Sequence, residues 1–246
     1  MIGLMFIPSF VFAVADADYD GDGLSNDLET KFGTQMYVAD SDGDGFTDIE
    51  EIRNGFSPVL SGGKSLPITD TDSDKLLDWQ ENWFGTDINR ADTDGDGFTD
   101  YDEVMSGHLP TDASTSTEFM RNIIVDKTKQ QLHYTVDSIR IVSMPVSTGN
   151  PGTQTPNGEF AIQRKIPVMR YIGPGYDLKG VTWNMQFIPH YYLHTAYWHN
   201  DFGKRTHSHG CVNLKEADAA ILYKYGTVGQ KVTVIGETPK HYKVGT

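Results

Sequence analysis

The spacing of apolar residues changes partway along this chain. In the first half they come in small groups just past acidic turns, such as Ile49 with Ile52 and Val104 with Met105. That pattern predicts short helices that pack on one another. A polar stretch over 113–118 reads as a linker. Beyond it, alternating β-branched and aromatic residues predict strands over 122–126, 132–136, 139–143, 159–163 and 231–235. One helix is expected after Cys211. Asn213 and Glu216 fit the first and last places of a capping box, Ala217, Ala220, Ile221 and Tyr225 form an apolar stripe, and Gly226 ends it. The fold class is therefore a loop-rich, short-helix domain followed by a mainly β domain.

Charge sharpens the division. The formal net charge of −14 is unevenly placed. Residues 1–116 hold 25 acidic and 5 basic side chains, and residues 117–246 hold 9 and 15. An acidic half repels nucleic acid and attracts cations, and no basic stripe suited to phosphates is present. Residues 1–15 are apolar and uncharged, too short to span a membrane, and end in the small-x-small run Ala13-Val14-Ala15. They read as a signal-peptide-like segment, and hence as export. The expected organisation is 1–15 signal-like, 16–112 cation-binding repeats, 113–118 linker, 119–238 catalytic domain and 239–246 tail.

Four acidic segments share one spacing. They are Asp18, Asp20, Asp22, Leu24, Asn26 and Glu29; Asp40, Asp42, Asp44, Phe46, Asp48 and Glu51; Asp70, Asp72, Asp74, Leu76, Asp78 and Glu81; and Asp92, Asp94, Asp96, Phe98, Asp100 and Glu103. A hard cation such as Ca²⁺ takes six to eight oxygens, and this spacing wraps carboxylates round a point. The seventh residue (Leu24, Phe46, Leu76, Phe98) would lend a backbone carbonyl. Glycine at the sixth place allows the sharp turn, but the third loop has Lys75 there. Loop starts at 18, 40, 70 and 92 describe a two-loop unit repeated with an offset of 52. The run from Asp92 to Asp100 resembles bacterial thrombospondin type 3 repeats and, more loosely, EF-hand loops. Ca²⁺ in such loops is expected to be structural. Its removal is expected to unfold 16–112 and leave 119–238 folded.

Candidate chemistry in the second half centres on Cys211, the only cysteine. A lone thiol near histidines is the raw material of a nucleophile. Just before a helix N-terminus its thiolate would be favoured, and backbone N–H groups around Gly210 and Cys211 would face an oxyanion. His190, His194, His199, His207 and His209 also leave a zinc peptidase open as a rival reading.

The text of 119–236 resembles the L,D-transpeptidase (YkuD-type) catalytic domain. The matching residues are Ile124-Val125-Asp126 with Gln131-Leu132, Pro145-Val146-Ser147-Thr148-Gly149, Thr155-Pro156 with Gly158 and Phe160, His194, Ala196 through Gly203, and Ser208-His209-Gly210-Cys211-Val212-Asn213. The resemblance implies a β-sandwich or barrel with one helix after the nucleophile. It also implies cysteine acyl transfer on peptidoglycan stem peptides, with L,D-carboxypeptidase side activity when water is the acceptor, and no catalytic cofactor. Cys211 matches the nucleophile and His194 the proton carrier, its ring oriented by the Thr195 carbonyl. Ser208, His209, Gly210 and Asn213 match the signature shaping the pocket. His207 has no family role and reads as a surface or packing residue; Trp183 and Trp198 are candidates to line the groove. The implied setting is the periplasm or cell envelope of a bacterium. A calcium-dependent, peptidoglycan-binding surface protein without turnover is the alternative.

Overall fold

The computed structural model describes residues 17–114, 118–173 and 175–240. The signal-like segment lies outside them, as do residues 115–117 of the expected linker and residues 241–246 of the tail. Among the described residues no helix is long and apolar enough to cross a membrane.

The chain divides into two compact units, Met1–Pro67 and Ile68–Thr246. This boundary differs from the one expected at 113–118. The first unit holds one pair of acidic loops, each running into a short helix, α1 (Asn26–Phe32) and α2 (Asp48–Arg53). The loops are tied together where the Ile49 N–H donates to Asp22 Oδ2 (3.2 Å).

The second unit holds the other pair, leading into α3 (Asp78–Phe84) and α4 (Asp100–Ser106), together with the β domain. Here the Tyr101 N–H donates to Asp74 Oδ2 (2.8 Å), repeating the tie of the first pair. The eighth loop residue explains itself once the helices are seen. Ser25, Thr47 and Thr99 are N-caps whose hydroxyls accept from Leu28, Glu50 and Asp102 N–H.

Two sheets form the β domain. One has the order β3 (Ile139–Pro145), β2 (Gln131–Val136), β1 (Arg121–Asp126), β9 (Lys231–Ile235), β4 (Gly158–Ala161). The other runs β5 (Arg164–Gly173), β6 (Tyr176–Ile188), β7 (Tyr191–Thr195), β8 (Val212–Leu214). The five strands expected from alternation are β1, β2, β3, β4 and β9. Their inward residues, such as Ile123, Val125, Leu132, Tyr134, Val232 and Val234, are buried, as period-two alternation requires. The last helix, α5 (Glu216–Tyr225), packs on β6 and β7.

The cap of α5 corrects the sequence reading. Lys215 is the N-cap, without a side-chain bond, and Asn213 lies inside β8. The backbone of Asn213 exchanges both hydrogen bonds with Ser147 (2.9 and 3.0 Å) and is in register with His194. A residue held by the sheet on both sides is not free to cap a helix. Cys211 therefore precedes a strand, and the helix field that was to favour its thiolate acts four residues too late.

The second loop pair is bonded into the β domain. Buried Gln80 donates from Nε2 to the Arg140 and Ile141 carbonyls (3.0 and 3.1 Å) of β3. Tyr134 Oη donates to the Met105 carbonyl (2.8 Å), and the Arg121 guanidinium bridges the Met105 and Tyr225 carbonyls. Lys224 pairs with Asp102 at 2.8 Å, the Tyr225 hydroxyl bonds the same carboxylate, and the Tyr101 ring meets Tyr225 edge-on. These contacts are why the boundary falls at Pro67 and not after α4.

Candidate active site and acidic loops

Strand β7 carries His194 and the segment entering β8 carries Cys211. Both line one pocket of about 190 Å³, with Tyr171, Tyr176, Leu178, Trp198, His207, Ser208, His209 and Asn213. His194 is buried, and its Nδ1 lies 2.8 Å from the Thr195 carbonyl. A carbonyl only accepts, so Nδ1 carries the proton and Nε2 presents a lone pair. Burial pushes the His194 pKa down to about 4, so the ring is neutral at pH 7. The Tyr171 ring, 4.9 Å from His194 and held by its hydroxyl on Asn184 Oδ1 (2.8 Å), covers one side.

Burial pushes the Cys211 thiol up to about 11, against a smaller opposing bond from the Tyr192 N–H. The thiol faces the His190 carbonyl at 3.9 Å. At neutral pH the resting pair is thus thiol and imidazole, not thiolate and imidazolium. The pair is suited to general-base activation, with the proton leaving sulfur as the bond to carbon forms.

The turn before Cys211 is clamped by Ser208, whose Oγ donates to the Cys211 carbonyl (2.5 Å) and accepts from the Gly210 N–H (3.0 Å). The expectation that the Gly210 N–H faces an oxyanion is therefore corrected: Ser208 holds it. Gly210 itself is required, because its φ is +119° and a Cβ there would sit 2.2 Å from the Tyr191 ring. His209 stacks on Tyr176 at 5.4 Å. Thr155 Oγ1 donates to the Gly210 carbonyl (2.9 Å), which gives the Thr155-Pro156 signature a role at the site.

Trp198 lines the pocket as anticipated. Trp183 does not; its ring packs against Tyr223 of α5. His207 is no bystander: it bonds Asp201 (2.8 Å) and stacks on His199 at 4.3 Å. Tyr171, Tyr176 and Leu178 went unseen because they lie on the β5–β6 hairpin, where no motif marks them. The histidines do not assemble a zinc site. Among the described residues, the groups of His, Cys, Asp or Glu close enough to share an ion are four aspartate trios.

Those trios are Asp18, Asp20 and Asp22; Asp40, Asp42 and Asp44; Asp70, Asp72 and Asp74; and Asp92, Asp94 and Asp96, with ligand atoms within 4.8 Å in each. Beside each trio a glutamate at the twelfth place is buried: Glu29, Glu51, Glu81 and Glu103 are 1%, 4%, 0% and 4% exposed. All four have a buried carboxylate oxygen with no hydrogen-bond partner, as do Asp20, Asp42, Asp72 and Asp94. Burial, then the neighbouring aspartates, push Glu29 and Glu51 up to about 7 and Glu81 and Glu103 to about 8. Unpaired acceptors crowded this way fit a divalent cation.

The ninth-place side chains behave differently. Asp48, Asp78 and Asp100 each accept from the backbone N–H and hydroxyl of Ser41, Thr71 or Thr93, and Asn26 accepts from the Tyr19 N–H. They brace the loops from within.

The third loop keeps this geometry despite its sequence. Ser73 and Lys75 take φ of 69° and 92°, where the other loops have glycine, and the Lys75 N–H donates to Asp70 Oδ2 (3.2 Å). The ammonium of Lys75 lies over the Tyr101 ring, 5.9 Å from its centre. Lys75→Gly relieves the left-handed strain and is expected to stabilise the protein by about 1 kcal/mol, read by urea unfolding in calcium.

Comparison with known proteins follows this division. A family model described as the L,D-transpeptidase catalytic domain (YkuD) matches residues 120–234. Residues 120–234 carry an L,D-transpeptidase catalytic domain. The bacterial TSP3 repeat model matches 18–34, 40–55 and 92–107, leaving out the Lys75 loop. L,D-transpeptidase 1 of Mycobacterium tuberculosis is 36% identical over 110 residues, covering 38% of this chain and 42% of that protein. The match thus spans under half of the relative's length. Among solved structures, the L,D-transpeptidase from Mycobacterium smegmatis is 28% identical, with a TM-score of 0.46 over 49% of this chain and 60% of that one. The L,D-transpeptidase from Stackebrandtia nassauensis is also 28% identical, with a TM-score of 0.42 over 49% and 57%.

Proposed function

We propose that this protein is an L,D-transpeptidase of the bacterial cell envelope, working on peptidoglycan stem peptides through a Cys211 thioester and carrying calcium in its acidic loops. The observation that carries the reading is Cys211 and His194 lining one pocket, with the imidazole locked on the Thr195 carbonyl so that Nε2 is the base.

The Cys211 sulfur attacks the carbonyl carbon of the third stem residue while its proton passes to His194 Nε2. The tetrahedral intermediate collapses by breaking the C–N bond to D-alanine, and His194 returns the proton to the leaving amine. An amine of a second stem then attacks the thioester, gives its proton to His194, and leaves the acyl group in a new amide as sulfur is released and reprotonated. Water in place of that amine gives the carboxypeptidase outcome.

In the acidic loops, the aspartate trios with Glu29, Glu51, Glu81 and Glu103 would hold Ca²⁺. The ion supplies the positive charge that lets these carboxylates ionise together.

Incubation with a stem tetrapeptide is expected to release D-alanine and leave a covalent adduct on Cys211, seen by mass spectrometry. Cys211→Ala is expected to abolish both. D-alanine release that survives this substitution removes the mechanism. Binding without release favours the non-catalytic alternative.

A further inference from the structure

The pocket contains an amide whose orientation is decided by residues outside the motif. His199 Nδ1 accepts the Asp201 backbone N–H at 3.3 Å. A neutral imidazole that accepts at Nδ1 carries its proton on Nε2. That Nε2 lies 3.2 Å from the Asn213 side-chain nitrogen, while buried Asn213 Oδ1 has no partner. Two donors face one another and an acceptor stands alone. A half-turn of the amide about its last torsion removes the clash of donors: Oδ1 then accepts from His199 Nε2–H, and the NH₂ group takes the place of the lone oxygen, as a donor awaiting an acceptor.

The place into which that NH₂ group turns matters. Asn213 lines the pocket with Cys211 and is the register partner of His194, so their side chains share a sheet face. The nearby Gly210 N–H is held by Ser208 Oγ. That takes away one of the two backbone donors expected beside Cys211, and a side-chain donor would make up for it.

We propose that His199 is a positioning residue, which through its Nε2–H holds the Asn213 amide turned so that its NH₂ group donates to the negative charge developing beside Cys211. His207 and Asp201 complete the support. His207 stacks on the His199 ring at 4.3 Å and is fixed by the Asp201 carboxylate, while the Asp201 backbone sets the His199 tautomer. Burial, with His207 beside it, holds the His199 pKa down at about 4, so the ring stays neutral.

The turnover arm of the test rests on the transpeptidase reading; the other two arms do not. Nitrogen-15 NMR of histidine-labelled full chain is expected to show neutral His199 with its proton on Nε2, and a proton on Nδ1 overturns the inference. Because Cys211 is the sole cysteine, iodoacetamide reports on it alone. At pH 8, His199→Phe is expected to slow alkylation about tenfold, the worth of a hydrogen bond to a charged group. In the D-alanine assay the same variant is expected to lower kcat about 100-fold, as loss of one oxyanion donor does, with KM within about twofold.

His199→Gln restores an acceptor for Asp201 and a donor for Asn213, and is expected to recover both rates to within about threefold of the wild type. Should phenylalanine lower the melting midpoint, His199→Asn, too short to reach Asn213, takes its place. Wild-type rates in the Phe or Asn variant, or a glutamine variant as slow as either, overturn the proposal. If the wild type itself releases no D-alanine, the transpeptidase reading fails while alkylation and tautomer still decide this one.

Discussion

Chelation of calcium is expected to lower the melting midpoint of the β domain by roughly 10 °C or more. A bound ion at about 100 times its dissociation constant contributes about 2.7 kcal/mol to stability, so the two loops of the second unit together contribute about 5 kcal/mol. For a unit of this size each kcal/mol moves the midpoint by roughly 2–4 °C. The transmission is physical. Without the ion, Glu81 and Glu103 are buried among aspartates, and the helices that follow those loops hold β3 through Gln80 and α5 through Asp102. Hydrogen exchange at β1–β3 amides in calcium and in EGTA checks this. The sequence suggested that 119–238 would stay folded after chelation; unchanged β-sheet protection in EGTA would restore that view.

His194→Ala is expected to cost on the order of 10³-fold in kcat/KM, the usual range for a lost general base. The pH dependence carries more information than the loss. In the proposed mechanism the active form has a neutral His194 and a protonated Cys211 thiol. With His194 lowered to about 4 by burial, kcat/KM should stay level as pH falls from 7 to about 5 and drop only near 4. An unperturbed histidine would give that limb near 6.5. With the thiol raised to about 11, iodoacetamide should react slowly at pH 6–7 and about tenfold faster for each unit of pH above that. A resting thiolate–imidazolium pair would instead alkylate rapidly at pH 6, and that result would falsify the neutral resting state.

How much of this was legible in the sequence varied with how local the signal was. Strands β1, β2, β3 and β9 alternate apolar and polar residues because one face of their sheet is buried. The β5–β6 hairpin was not read. Strand β5 is largely exposed, carries Pro167 and charged residues, and so has no buried face to impose a period. That hairpin supplies Tyr171, Tyr176 and Leu178, so this side of the pocket wall went unread with it. Cys211, His194 and the acidic loops were legible because their chemistry fixes residue type at fixed spacing. The failed helix cap shows the limit of such local reading: Asn213 and Glu216 fit the capping motif, but pairing with Ser147 claims Asn213 first. His207 and His199 depend on a contact across eight residues that no motif encodes.

The two halves of the duplication have different standing. The first pair closes on itself within Met1–Pro67, whereas the second is bonded to the strands that support the pocket. A shortened version cut at residue 118, where composition invites the cut, would strip the Tyr134 hydroxyl of its acceptor and leave the face of β3 beneath Gln80 bare. The smallest piece that keeps the β domain's own scaffolding begins at Ile68.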